Sequence, residues 1–96
     1  MRMEREMSKH VAETDDTYVK TDGKFRLIVS RAWSMGHGYH TNRYRYVVTM
    51  ASSDPAVGRV NVAHGEYYSP GDDEHAKRTM IEVGTRAMRH AVEVWK

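Results

Sequence analysis

His37 and His40 flank Gly38-Tyr39 in a glycine-punctuated stretch. Two imidazoles three positions apart on a loop can meet one metal ion, with His64 or an acid as third ligand. A closed structural zinc site needs four ligands, and no matching second pair stands elsewhere, so the expectation is two exposed loop histidines and no metal. His64 and Glu66 fall on one face of a strand together with Tyr68, an arrangement in which a carboxylate orients an imidazole base. Nothing near them resembles a nucleophile elbow, and the Gly36-His37-Gly38 stretch lacks the lysine of a phosphate loop. In Asp72-Asp73-Glu74-His75, successive side chains on a helix diverge by about 100°. They serve a helix start better than a metal or an acid–base pair. The expectation is a protein that is no enzyme, with no catalytic residue and no cofactor.

The richer pattern is basic and aromatic. Trp33, Tyr39, Tyr44 and Tyr46 are interleaved with Arg31, Arg43 and Arg45. Net charge over the whole chain is only +2. It is unevenly placed, because Lys24 to Ser53 holds Lys24, Arg26, Arg31, Arg43 and Arg45 and no acid at all. An anionic partner belongs on such a segment. Strand alternation puts Tyr44 and Tyr46 toward the core, which leaves the arginines and Tyr39 for a ligand. The candidate binding set is therefore Arg26, Arg43 and Arg45 together on an open sheet face, with Arg31 and Tyr39 at its rim.

The totals limit what can carry such a set. Ninety-six residues, 40% hydrophobic and 29% charged, make one globular domain with a modest core. No cysteine is present, so disulfides, thiolate metal sites and cysteine nucleophiles are excluded. Apolar runs such as Leu27-Ile28-Val29 are too short to span a bilayer. The opening residues mix acids with bases and hold no apolar run, so no secretory signal is expected. A soluble, cytoplasmic protein without membrane contact is the expectation.

The elements that position these residues follow from periodicity. Met3, Met7 and Val11 lie four apart, so residues 1–16 form an N-terminal arm, helical or disordered, ahead of a single domain over 17–96. Asp22-Gly23 between β-prone runs predicts a type I′ hairpin joining Thr17–Thr21 to a strand from Lys24 to Trp33. Phe25, Leu27 and Val29 then share one face, and Arg26, Ile28 and Ser30 the other. Arg43–Ala51 alternates with Tyr44, Tyr46, Val48 and Met50 inward. Arg59–Tyr68 is the last strand, with Val60 and Val62 inside and Asn61 and Ala63 outside. From Asp72 to Lys96 one amphipathic helix places Ala76, Met80, Ile81, Gly84, Ala87, Met88, Ala91 and Trp95 on its apolar face. Ser69-Pro70 suits its cap and first turn. The fold expected is α+β: a three- to four-stranded antiparallel β-meander with a long C-terminal helix packed on one face.

The order strand, Gly-His loop, strand, strand, helix over Phe25 to Val92 loosely resembles the double-stranded RNA-binding domain. Gly36-His37-Gly38-Tyr39-His40, followed by Tyr44 and Val48, is similar to that family's glycine–histidine loop and the strand after it. The resemblance implies duplex-RNA contact through a lysine-rich helix start. The matching stretch here, Asp73-Glu74-His75-Ala76-Lys77, is acidic and repels phosphate. The first expectation is therefore a small non-catalytic module that docks a basic sheet face on an acidic protein partner. Phage-encoded inhibitors of host machinery act in that style. The alternative is a nucleic-acid-binding domain using the same arginines.

Overall fold

The computed structural model describes residues 9–32, 43–69 and 71–95. Five strands, β1 (Lys9–Glu13), β2 (Thr17–Asp22), β3 (Phe25–Arg31), β4 (Arg43–Ala51) and β5 (Arg59–Tyr68), precede one helix, α1 (Asp73–Trp95). The strands form a single antiparallel sheet in the order β1-β2-β3-β4-β5. The α+β meander with its covering helix is as expected, with five strands where three or four were anticipated. No helix among the described residues is long and apolar enough to cross a membrane.

The additional strand comes from the N-terminal arm. Lys9–Glu13 pairs with β2, from Lys9 opposite Asp22 to Glu13 opposite Tyr18. The helical spacing of Met3, Met7 and Val11 misled because Val11 belongs to this strand; Met3 and Met7 lie outside the described residues. A strand needs only a partner edge and a turn, and Thr14 supplies the turn by bonding Thr17 through backbone and side chain.

The β2–β3 hairpin is real but one residue displaced. Asp22 pairs with Phe25, so the two-residue loop is Gly23-Lys24. Gly23 has φ of 60°, and among the described residues no other residue type has positive φ. That combination is a type II′ turn with glycine first, not the type I′ turn expected for Asp22-Gly23.

Alternation along the central strands builds the core. Phe25, Leu27 and Val29 of β3 and Tyr44 and Val48 of β4 are buried against Ala76, Met80, Met88 and Ala91 of α1. Burying a side chain such as Leu27, whose exposure is 0%, contributes about 1.5–3 kcal/mol. The helix lies over β3, β4 and β5. It comes close because Gly84 has no side chain: a Cβ there would stand 2.5 Å from Leu27 Cδ1 and 3.1 Å from Tyr46 Cβ. Trp95, expected to seal the helix edge, is half exposed. The helix cap is Asp72, whose Oδ1 accepts from the backbone N–H of His75 at 2.9 Å, so the start lies three residues beyond Ser69.

On β5 the register slips. Val48 faces Ala63 and Thr49 faces Asn61, which leaves Val62 as a bulge. Ala63 is thereby moved to the helix side, against the expectation that it points outward, and both it and Val62 pack on the core. Beyond the bulge His64, Glu66 and Tyr68 share the helix-free face.

Candidate functional site

The sheet face away from α1 has no covering layer among the described residues. Register places on it His10 and Ala12 of β1, Thr17, Val19 and Thr21 of β2, and Arg26, Ile28 and Ser30 of β3. β4 adds Arg43, Arg45, Val47 and Thr49, and β5 adds Arg59, Asn61, His64, Glu66 and Tyr68. Among the described residues, Arg26, Arg43, Arg45 and Arg59 are thus opposed by Glu66 alone among the carboxylates on this face. The basic bias seen in the segment Lys24–Ser53 becomes a property of one surface.

Cross-strand pairing gives that surface an internal order. Ala12 faces Val19, Val19 faces Ile28, and Ile28 faces Val47, so four apolar side chains run in one row across β1 to β4. The row ends at His64, opposite Val47 on β5. Val19, Ile28 and Val47 are only half-buried, and no second layer covers them among the described residues. Cations flank the row on both sides. Arg43 and Arg45 lie toward one end of the strands, and Arg26 and Arg59 toward the other.

This geometry revises the expected arginine cluster. Arg26 faces Thr49, four residues along β4 from Arg45, a separation of roughly 13 Å along the strand. Arg26 shares the open face with Arg43 and Arg45 but not their end of it. Its cationic neighbour is Arg59, a residue that sequence spacing alone did not single out. Arg59 donates from Nε to Thr49 Oγ1 at 2.9 Å and from Nη2 to the Lys24 carbonyl at 2.9 Å. Burial first, then the positive charge of Arg26, lowers its pKa.

Arg43 donates through Nη1 to Glu66 Oε1 at 3.3 Å, and its guanidinium stands 5.8 Å from the centre of the Tyr68 ring. Its Nε is shielded from solvent and finds no acceptor among the described residues, a donor of the kind that costs free energy when left uncompensated. Arg45 is exposed beside Glu66. A hollow of about 270 Å³ opens there, lined in part by Arg45, Val47, Asn61, His64 and Glu66.

Arg31 stands elsewhere. It continues the parity of Phe25, Leu27 and Val29, on the helix side of the sheet, and faces Tyr44. Both ends of its guanidinium grip Asp73 at 2.8 Å, and Nη2 also reaches Asp16 Oδ1 at 2.7 Å. Its pKa rises further, chiefly through the bond to Asp73 and then that to Asp16. The same guanidinium lies 5.1 Å from the centre of the buried Tyr44 ring. Burial pushes the Tyr44 phenol up to about 12. Arg31 joins the β1–β2 turn, β3 and α1, and those contacts account for it without a ligand.

Tyr39, His37 and His40 lie outside the described residues, as does the whole Gly36–His40 stretch that carried the RNA-binding resemblance. His64 and Glu66 are exposed neighbours on the open face, and Glu66 is bonded to Arg43. Asp72 caps the helix and Asp73 holds Arg31, so the acidic helix start is used within the fold. Among the described residues no three acids or histidines come together in a way that could hold a metal ion. Comparison with protein-family models, curated proteins and solved structures gives no match to this chain.

Proposed function

We propose that the open sheet face is a protein-docking surface, and that its partner presents an apolar ridge bordered on both sides by carboxylates. The observation that carries this reading is the row Ala12, Val19, Ile28 and Val47 with arginines on either flank. Protein interfaces have that anatomy, an apolar centre that excludes water and a charged rim that steers and orients. Nucleic acid would use the same arginines for phosphate but would need flat rings for the bases. The rings on this face among the described residues are Tyr68, on which Arg43 already stacks, and the imidazoles of His10 and His64; all three are on the edge strands, and β2 to β4 present none. A module of this kind acts by occupying its partner's acidic surface, as an inhibitor of host machinery of the phage-encoded type would.

The test separates the two ligand classes. Wild type, Ile28→Asp with Val47→Asp, and Arg43→Glu with Arg45→Glu are compared for protein capture, and for gel shifts with single- and double-stranded DNA and RNA at two salt concentrations. Both variants should stay folded by circular dichroism and lose the captured protein, with no shift of nucleic acid by any form. A shift that vanishes steeply with salt, persists in the aspartate variant and is lost in the glutamate variant would instead establish nucleic acid.

A further inference from the structure

β5 is ten residues long and stands at the edge of the sheet, with no further strand beside it among the described residues. Edge strands that stay single are commonly short, or carry lysine or proline. β1 at the other edge has five residues and includes Lys9, whereas β5 contains neither lysine nor proline. Its bulge at Val62 lies near the start, so Ala63–Tyr67 is a regular stretch of strand.

We infer that β5 pairs antiparallel with β5 of a second copy, centred on Gly65, to make one ten-stranded sheet. This goes beyond the docking reading and does not depend on it. Like faces meet in an antiparallel pair only when paired residue numbers sum to an even value. Centring on Glu66 or on His64 would oppose each to itself. Centring on Gly65 sets His64 of each copy opposite Glu66 of the other, twice over, so an imidazole donor meets a carboxylate acceptor across the edge. Ala63 then opposes Tyr67 on the helix side.

The helices permit this. α1 lies over β3 to β5, so its axis is near β4. In the paired sheet β4 and its counterpart are three strand spacings apart, roughly 14 Å. Two helices need about 8–10 Å, so they sit side by side without collision. The flank of α1 toward β2 and β1 is identified by Arg78, which reaches Glu13, and by the groove of about 230 Å³ between Lys20 and Asp22 on β2 and Thr85, Arg89 and Val92 on the helix. By the 100° rule the flank toward β5 carries Thr79, Val83, Ala87, His90 and Val94, with no Lys, Arg, Asp or Glu. Val94 is 58% exposed. The side of the helix that would face a second copy is the uncharged one.

Light scattering on the purified chain across a concentration series should show a mass rising to twice 11.1 kDa. A mass that stays at the monomer value up to high micromolar concentration overturns the proposal. His64→Glu places like charges across the edge and should weaken the dimer roughly tenfold or more, while His64→Lys should retain it. Both substitutions are on an exposed side chain, so circular dichroism should be unchanged. Equal dimer strength in the two variants overturns the register. The cysteine-free background allows a direct check. Mixed His64→Cys and Glu66→Cys chains should form a disulfide under mild oxidation far faster than either chain alone. Equal yields in all three samples would contradict the centre at Gly65.

Discussion

Arg31 and Asp73 meet fork to fork, Nη1 to Oδ1 and Nη2 to Oδ2, both at 2.8 Å, across 42 positions of sequence. Nε and Nη2 of the same guanidinium close on Asp16 Oδ1 at 3.2 and 2.7 Å. Arginine can serve three elements at once because its planar fork presents donors in fixed directions, which a lysine ammonium does not. Arg31→Lys should therefore destabilise almost as much as Arg31→Ala, by about 1–2 kcal/mol, above the range of exposed ion pairs and within that of charged hydrogen bonds. Urea midpoints measure this, and a lysine variant with wild-type stability would show that charge alone suffices.

Glu13 and Lys77 give the fold a dependence on acid. Lys77 is 4% exposed, and its ammonium donates to Glu13 Oε2 at 2.8 Å and to the Thr14 carbonyl at 2.7 Å. That hydrogen bond is the main cause holding the Glu13 carboxyl below its ordinary value of 4.5. A depressed carboxylate stabilises the fold above its unfolded pKa, and the contribution is lost as pH falls through the folded pKa. Wild type should be more stable than Glu13→Gln at pH 7, and the two should converge below about pH 4.5. Parallel melting curves for the two proteins from pH 7 to pH 3 would show the pair to be inert.

Replacing that buried lysine should be gentler than stripping it of its partner. Lys77→Met removes a charge that had to be desolvated, and its chain fills a similar volume. Glu13→Gln removes the carboxylate charge facing the buried ammonium and leaves it only neutral acceptors, an amide oxygen and the Thr14 carbonyl. Thermal melts at neutral pH should rank wild type and Lys77→Met close together, with Glu13→Gln clearly below both.

Gly84 sets the distance between helix and sheet. Alanine is the better helix former by about 1 kcal/mol. Its Cβ would nevertheless fall 2.5 Å from Leu27 Cδ1 and 3.1 Å from Tyr46 Cβ, and Leu27 is fully enclosed. Gly84→Ala should lower stability in spite of its propensity. Gly84→Leu should cost about 3 kcal/mol, at the upper end for overpacked cores. Chemical denaturation decides it, and a more stable alanine variant would mean that Leu27 can yield.

Gly23 tests the hairpin. Its φ of 60° suits glycine, and nothing lies within 4 Å of where a Cβ would be, so any penalty is conformational and not a collision. Gly23→Val should cost about 1–2 kcal/mol in the melting curve and Gly23→Asn clearly less. Equal effects of the two would argue against the type II′ turn.

Local chemistry made much of the fold legible. Alternation over Phe25–Val29 and Arg43–Met50 is a period-two signal that exists only where one face is buried, and it assigned the core side of both strands correctly. The helical stripe through Ala76, Met80, Gly84, Met88 and Ala91 likewise identified the face that packs. Glycine at 23 announced a turn because few other residues accept its conformation, although which residue opened the loop depended on the pairing of Asp22 with Phe25.

Pairing, register and distance were decided by tertiary structure. β1 has no alternating signature of its own, since Val11 is exposed and only the edge of β2 makes it a strand. The bulge at Val62 reversed the side on which Ala63 lies, a change that depends on the partner strand. The same register separated Arg26 from Arg45 and brought Ala12, Val19, Ile28 and Val47 into one row from four separate strands. Arg31 looked like its basic neighbours in sequence, yet the parity of β3 sets it on the helix side, where Asp73 holds it, and a long-range carboxylate pair leaves no periodicity to read. Composition and period thus determined which residues are buried and that a basic surface exists. Strand pairing alone decided which of those residues share it.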